Sequence, residues 1–511
     1  MSDLVVKCNS FGLFGIDSFC VEVEADVSRS VPSFDIVGLP DASVKESKDR
    51  VRSALLNCGL EFPPARIIIN LAPADRRKEG PVYDLPILVS LLQATGQINA
   101  DLSDCAFVGE LSLSGDVRRI NGVLSMAIKA KECNIKSLFV PFDNALEAAV
   151  VKGVDIYPVK SVFELVDHLK GRAEIAKTQY NFEHKNSVSQ LLDFSQVKGQ
   201  YEAKRALEIA AAGGHNVLLI GPPGSGKSML AKRMGTILPS MTFDEMIQTT
   251  KIHSVAGLLP ENQGLITTRP FRSPHHSVSA VGLTGGGTIP RPGEISLCHN
   301  GVLFLDELPE FNRNSLEALR QPVEDSKVTI SRAMGRYTYP SSFTLIAAMN
   351  PCPCGFYNHP VRECTCTEDA VRRYLSRISG PLLDRIDIHV EVPAVEYDDL
   401  TSKIQEESSE SIRERVNKAR AVQIKRYEGT SINCNANLDA SMFSKVCVVD
   451  DRANMLLKNA FDKLGLTARA YDRILKVART IADLDGSEII KSNHITEAIQ
   501  YRTLDRKYWG R

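Results

Sequence analysis

The segment HNVLLIGPPGSGKS, His215 to Ser228, carries the spacing G-x-x-x-x-G-K-S in Gly221, Pro222, Pro223, Gly224, Ser225, Gly226, Lys227 and Ser228. Successive backbone N–H groups in such a loop can wrap a polyphosphate, with Lys227 reaching the β and γ phosphates and Ser228 holding Mg²⁺. The glycines leave space for the phosphates and allow positive φ. A second apolar run, Gly301 to Leu305, ends in Asp306 and Glu307. Asp306 can join the Mg²⁺ shell, and Glu307 can polarise a water for attack on the γ-phosphorus. Two acids often follow a buried strand with no such role, but beside a phosphate loop ATP hydrolysis is the stronger reading. Nothing resembles H-R-D-x-x-x-x-N or D-F-G, which leaves a kinase weaker.

A third apolar run, Phe343 to Ala348, leads to Asn350. Its amide could orient the same water, since it donates and accepts at once, or it could be a turn residue before Pro351. Arg385, in GPLLDRIDIHV, could stabilise γ-phosphate charge in a neighbouring subunit, or pair within the chain with Asp384 or Asp387. Arg469, in LTARAYDRILKVART, could reach the nucleotide from a helical domain, or be one of several exposed basic residues with Arg473 and Arg479.

Four of the 12 cysteines, Cys352, Cys354, Cys364 and Cys366, crowd into one short stretch as C-x-C-x9-C-x-C. Four thiolates fill the tetrahedral shell of a structural Zn²⁺, although the C-x-C pairs are tighter than the usual C-x₂₋₄-C; disulfides are the competing reading. Lys327 to Tyr339, KVTISRAMGRYTY, alternates like a hairpin around Gly335 and carries Lys327, Arg332 and Arg336. Such a hairpin could track a DNA phosphate backbone, or be an ordinary exposed hairpin with solubilising charges.

The elements that must position these residues fall into three parts. Residues 1–170 have strand-like runs at Ile67 to Leu71 and Ser137 to Val140 and helical periodicity at Leu85 to Ala94 and Gly122 to Cys133, an α/β domain. Residues 171–190 are polar with no apolar face, a linker. Residues 191–395 hold an Ala-rich helix from Gln200 to Ala212, the phosphate loop and the four-cysteine loop. Strands alternating with helices there predict a parallel sheet with ligands at the carboxyl ends of its strands. Residues 396–511 read as helices, Asp398 to Tyr427, Asp450 to Leu464, Thr467 to Leu484 and Ser492 to Arg502, with Thr467 and Ser492 as N-caps.

A length of 511 residues suits about two to four domains. With 24% charged and 43% apolar residues, the composition is that of a soluble globular protein. The net charge of −1 supplies no global field for nucleic acid, so a polyanion must be held by a local basic surface. No apolar run reaches the ~18 residues of a membrane span, and MSDLVVKCNS lacks the features of a signal peptide. The cytoplasm is the expected compartment, no membrane partner is expected, and the cysteines read as reduced thiols or metal ligands.

Over nearly its whole length the chain resembles the ComM/YifB family of magnesium-chelatase-like AAA+ ATPases. The resemblance rests on FRSPHHS (Phe271 to Ser277), PGEISLCHNGVLFLDELPEF (Pro292 to Phe311), AAMNPCPCG (Ala347 to Gly355), GPLLDRID (Gly380 to Asp387) and ARTIADLDG (Ala478 to Gly486). It implies an AAA+ core with an α-helical lid, a homo-hexameric ring with ATP between subunits, and DNA branch migration in recombination and natural transformation, with recombination proteins as partners. By this resemblance Asn350 is sensor 1, Arg385 the arginine finger, Arg469 sensor 2, and Lys327 to Tyr339 a pore hairpin. The first 170 residues are similar to the proteolytic domain of Lon, through RRKEGPVYDLPI (Arg76 to Ile87) and FVGELSLSGDVRRINGVL (Phe107 to Leu124). Val82 and Leu124 stand where Lon has its serine and lysine, and neither side chain can do nucleophilic chemistry. The expected function is an ATP-driven DNA helicase or branch-migration translocase without peptidase activity. A chelatase-type or protein-remodelling motor is the alternative, disfavoured because chelatase motor subunits lack such an N-terminal domain.

Overall fold

The computed structural model describes residues 5–180, 192–288, 290–332, 335–395, 397, 406–430, 432–464 and 467–510. The chain divides into two units, residues 1–185 with 246–266, and residues 186–245 with 267–511.

In the first unit seven strands form one mixed sheet, in the order Ser33–Val37, Arg66–Ala72, Asp17–Ser28, Val6–Phe14, Cys105–Phe107, Ser137–Pro141 and Asp155–Val159. The long central pair is antiparallel, from Val6 opposite Ala25 to Phe14 opposite Asp17. Along Asp17–Ser28, Val21, Val23 and Ala25 are buried at every second position, the signature of a strand with one face in the core. Helix Asp84–Ala94 is buried continuously from Asp84 to Leu92, as expected of a helix apolar all round. Its one acid is satisfied there: Arg50 donates to the Asp84 carboxylate at 2.6 and 2.9 Å, and the Leu111 N–H at 3.1 Å. The structure joins Cys20 to Cys133, a departure from the reading of the cysteines as thiols or metal ligands. Their Cα atoms are 7.8 Å apart, wider than the roughly 4.4–6.8 Å of most disulfides.

The expected boundaries are the linker 171–190, of which 181–190 lie outside the described residues, and a second one between 395 and 396, across which the second unit runs on undivided. The structure corrects this, because residues 246–266, assigned from sequence to the ATPase core, pack in the first unit. Helix Phe243–Ala256 carries the chain into it. There the Ser254 hydroxyl donates to the buried Glu147 carboxylate, Lys251 lies 2.8 Å from Asp17, and Arg119 donates to the Leu259 carbonyl. Glu147 also accepts from the Leu124 N–H at 2.8 Å and from Asn144 at 3.2 Å. Burial pushes the Glu147 carboxyl above its usual range against these donors, so Ser254 helps satisfy a group that would be costly to leave bare. Nothing in the periodicity of 246–266 announces that contact.

The second unit is built on five parallel strands in the order Phe271–Arg272, Val302–Leu305, Thr344–Met349, Val217–Ile220 and Ile388–Glu391. The three strands between the edges are fully buried, which is why they read as unbroken apolar runs. Helices Tyr201–Gly213 and Lys227–Ile237 pack against the sheet, and helices Ser409–Arg426, Asp451–Leu464, Ala468–Leu484, Ser492–Gln500 and Thr503–Trp509 follow it. Residues 398–405 of the expected charged helix lie outside the described residues. Thr467 caps its helix, its hydroxyl accepting the Ala470 N–H at 3.2 Å. Ser492 does not cap: it is the first helical residue, and the Lys491 N–H at the cap position donates to His494 Nδ1 at 3.0 Å.

A buried polar network wires the amino ends of these strands to the helices. Asp387, 4% exposed, is ion-paired with Arg473 and accepts from His215 Nδ1 at 3.3 Å and the Asn216 N–H at 3.2 Å. His215 Nε2 lies 2.7 Å from the Thr480 hydroxyl. Asn435 bridges Thr480 and Asp483, and Asp483 also receives Arg426 and the buried Arg479. Burial opposes the Asp387 charge, but Arg473 and His215 overcome it and hold the carboxyl well below its usual range. Asp387→Ala should therefore lower the stability of this unit by about 3–5 kcal/mol, because it strands a cation against the sheet. Urea unfolding followed by fluorescence of Trp509, the single tryptophan, measures it; an unchanged midpoint would contradict the network's role.

Candidate nucleotide-hydrolysis site

The residues with chemical potential meet at the carboxyl ends of the parallel strands, where a doubly wound sheet places ligands. Val217–Ile220 feeds the glycine-rich loop, in which Gly224 and Gly226 take φ of +77° and +91°. At Gly221 a Cβ would sit 2.1 Å from the Val392 carbonyl oxygen, so no side chain fits where the loop leaves the sheet. Lys227 opens helix Lys227–Ile237, and free N–H groups at such a helix start favour an anion. Its ammonium donates to the Gly221 and Pro222 carbonyls at 2.8 Å each, to Ser225 Oγ at 3.4 Å and to Asn350 Oδ1 at 3.2 Å. Burial lowers its pKa to about 8, with Asp306 only partly opposing.

Ser228 Oγ donates to Asp306 Oδ2 at 2.5 Å, and Asp306 Oδ1 accepts the Glu307 N–H at 3.0 Å. Glu307 takes φ +53°, a left-handed conformation that is sparsely populated for a residue with a side chain and concentrates at functional sites. Its carboxylate lies 3.4 Å from His276 Nδ1. The His276 ring lies tilted against that of His275, with centroids 4.0 Å apart, and meets the Phe311 ring edge-on at 6.4 Å. Sequence reasoning missed His276; the available signal was two adjacent histidines just past the edge strand Phe271–Arg272, at the carboxyl end of the sheet. Lys227, Ser228, Asp306, Glu307 and Asn350 thus share one site. A polyphosphate there would exchange the carbonyl oxygens around Lys227 for its own, and the Ser228–Asp306 pair offers two oxygens to Mg²⁺.

Arg385 lies elsewhere, just before Ile388–Glu391 at the amino edge of the sheet. The strand length, four residues of ~3.3 Å, separates it from the phosphate loop by about 13 Å. Its guanidinium pairs with Glu324, not with Asp384 or Asp387 as the intrachain alternative had it, and donates to the Pro381 carbonyl at 2.7 Å; Asp387 is engaged by Arg473. A cleft of about 730 Å³ opens at this edge, lined by Asn216, Arg269, Glu324, Arg385 and Arg473 among others. Arg469 is exposed on the first turn of Ala468–Leu484. Its expected companions are not alike: Arg479 is 1% exposed and bound to Asp483, so the reading of it as a surface residue is corrected.

The sulfurs of Cys352, Cys354, Cys364 and Cys366 all lie within 4.8 Å of one another, close to the ~3.8 Å edge of a tetrahedron with ~2.3 Å Zn–S bonds. The hairpin is present as Lys327–Arg332 and Gly335–Pro340, with residues 333 and 334 outside the described set. Val328, Ile330, Tyr337 and Tyr339 bury one face. Ser331 pairs with Arg336, so Lys327 and Arg336 share the exposed face by the period of two. Arg332 does not join them: it belongs to the other face and donates to the Gly287 carbonyl at 3.4 Å.

A parallel sheet with this loop, an acid pair and an amide at its strand ends, followed by helices, defines an AAA+ P-loop ATPase. The family described as magnesium chelatase, subunit ChlI, matches residues 193–400, its C-terminal counterpart residues 406–502, and the family described as subunit ChlI of Mg-chelatase residues 23–144. YifB of Escherichia coli, an uncharacterized protein, is 44% identical over 501 residues, and competence protein ComM of Haemophilus influenzae is 44% identical over 504; each match covers 96% of both chains. Lon protease 2 of Bacillus subtilis is 27% identical over 153 residues, 27% of this chain and 26% of that one. The chain belongs to the ComM/YifB family of magnesium-chelatase-like AAA+ ATPases. Because a chelatase-subunit family also covers residues 23–144, the N-terminal unit does not separate a DNA motor from a chelatase-type motor, and the expectation built on it is withdrawn.

The Lys227 environment carries a pH signature. The free ammonium loses its proton near pH 8, whereas bound phosphates favour the charged form, so nucleotide binding should take up a proton as pH rises through 8. The ADP dissociation constant should then increase by about tenfold per pH unit above that point. Isothermal titration calorimetry in buffers of different ionisation enthalpy checks it; a constant affinity from pH 7 to about 9.5 would refute the linkage.

Proposed function

We propose that this chain is the subunit of a homo-hexameric ATPase ring that moves on branched or single-stranded DNA, as a helicase or branch-migration translocase. The observation that carries the reading is the division of the site. Lys227, Ser228, Asp306, Glu307 and Asn350 gather at one edge of the sheet, while Arg385 stands in an open cleft at the other. A neighbouring copy presenting that cleft would bring Arg385 to the γ-phosphate, with Glu307 activating water, Asn350 orienting it, and Arg469 reaching the nucleotide from the helices. The intrachain Arg385–Glu324 pair must then open on assembly.

DNA as the substrate is supported by the exposed pair Lys327 and Arg336 and by the relative named as a competence protein. Recombination proteins are the partners this reading anticipates. The four cysteines are read as a structural Zn²⁺ site, and the first unit as a peptidase-like fold without peptidase chemistry, since Val82 and Leu124 are both buried apolar side chains.

The Lys227→Ala and Arg385→Ala proteins should each be inactive, while an equimolar mixture recovers activity at about a quarter of its interfaces, where both intact residues meet. Two inactive proteins that stay inactive when mixed under conditions where they co-assemble would refute a shared site. ATP turnover with forked DNA, Holliday-junction DNA and no DNA tests the substrate. If no DNA raises turnover and none is unwound or migrated, a chelatase-type or protein-remodelling motor becomes the better reading. Protein purified without chelator should contain about one Zn per chain, and less than half an equivalent would remove the metal assignment.

A further inference from the structure

The four cysteines sit in a segment, residues 350–367, with neither helix nor strand, in which only Pro351, Cys352 and Gly355 among residues 351–367 are buried. The Gly355 N–H donates to the Cys352 carbonyl at 3.0 Å, the His359 N–H to the Phe356 carbonyl at 3.1 Å, and His359 Nδ1 accepts the Val361 and Arg362 N–H groups at 3.1 and 3.0 Å, while the Phe356, Tyr357, Thr365 and Cys366 N–H groups bond to the cysteine sulfurs. A loop with so little buried apolar surface has no core to fix its shape, and cross-linking at the sulfurs is the means by which it can be fixed.

This same loop touches the phosphate loop at two points. Asn350, two residues before Cys352, accepts from the Lys227 ammonium at 3.2 Å. Gly355, next to Cys354, takes φ +85° with its backbone against the Pro223 ring, so near that a Cβ there would lie 2.4 Å from Pro223 Cδ and 2.7 Å from Cγ. The knuckle therefore bears on the phosphate loop through the residue beside one metal ligand and on its lysine through the residue two places before another.

We propose that the cysteine knuckle is a metal-dependent clamp on the phosphate loop, so that occupancy of the four thiolates by a divalent soft cation sets the affinity of the site for nucleotide. The inference rests on reading the cysteines as a zinc site. With metal bound, residues 352–366 form one rigid piece and hold Gly355 against Pro223 and Asn350 against Lys227. With metal lost, the thiol pairs separate, the wall on Pro223 is free to withdraw, and the cradle for the β and γ phosphates loses its fixed shape. Hydrolysis would be regulated by the supply of the knuckle's cation without that cation reaching the nucleotide.

The test uses the full chain and a fluorescent N-methylanthraniloyl ADP, so that the readout is binding and not turnover. Removing zinc with a zinc-selective chelator should raise the dissociation constant at least about tenfold, since a cradle that has lost its fixed shape must be ordered as the nucleotide binds. Adding back one equivalent of Zn²⁺ should restore it. Gly355→Ala should keep its zinc yet bind the analogue more weakly, because the added methyl pushes Pro223 away; Cys364→Ser, remote from the loop in sequence, should lose both. Metal-free protein that retains the parent Trp509 fluorescence and binds the analogue as tightly as before would overturn the clamp while leaving the zinc site standing. A Gly355→Ala protein with parental affinity would also overturn it, and it does so even if the cysteine variant fails to fold. Protein that holds no zinc as purified, and whose nucleotide affinity ignores both chelator and added Zn²⁺, would overturn both readings.

Discussion

A lysine ammonium stripped of water at the end of a buried strand is the constraint around which the second unit is arranged. Lys227 is surrounded by the Gly221 and Pro222 carbonyls, Ser225 and Asn350, and burial makes its charge costly enough to bring its pKa to about 8. Those oxygens are weaker partners than a phosphate, so the free loop holds a cation that gains by exchanging them. The neighbouring features serve the same exchange: absent side chains at Gly221 and Gly224, the Ser228 hydroxyl on Asp306, and a glutamate held in an uncommon backbone conformation beside His276.

The amino edge of the sheet obeys a different rule. There charge is matched by charge, Asp387 by Arg473 and His215, Asp483 by Arg426 and Arg479, Arg385 by Glu324. Matching of this kind stabilises little over an apolar core but penalises any arrangement that separates the partners. The helices are thereby tied to the strands whose opposite ends carry the phosphate loop. Of the pairs named, Arg385–Glu324 borders the open cleft on a half-exposed glutamate, which makes it the easiest to exchange for another anion.

Part of the chain is similar to Lon proteases, and the first unit buries Val82 and Leu124 as apolar side chains. Its buried carboxylate, Glu147, is occupied in binding Ser254 of the segment that arrives from the ATPase portion of the chain. A polar site in the interior of this unit thus receives a piece of the motor's own sequence.

How legible all this was in the amino-acid order follows from the range of each interaction. The strands Val217–Ile220, Val302–Leu305 and Thr344–Met349, the loop between Gly221 and Ser228 and the Thr467 cap are local: apolar runs, glycines and a capping hydroxyl act on residues a few positions away, so spacing reveals them. The placing of Asp306 and Asn350 needed only the inference that parallel strands align their carboxyl ends. Contacts across long separations were decided by the tertiary structure alone. Arg385 meets Glu324 instead of the acids beside it, Arg332 reaches the Gly287 carbonyl, and Arg479 turns inward. Residues 246–266 join the first unit, and Gly355 finds Pro223. In each case the side chain or backbone is chemically ordinary in its local sequence, and its partner is chosen by which surfaces the packed sheets and helices bring within a hydrogen bond or a van der Waals radius.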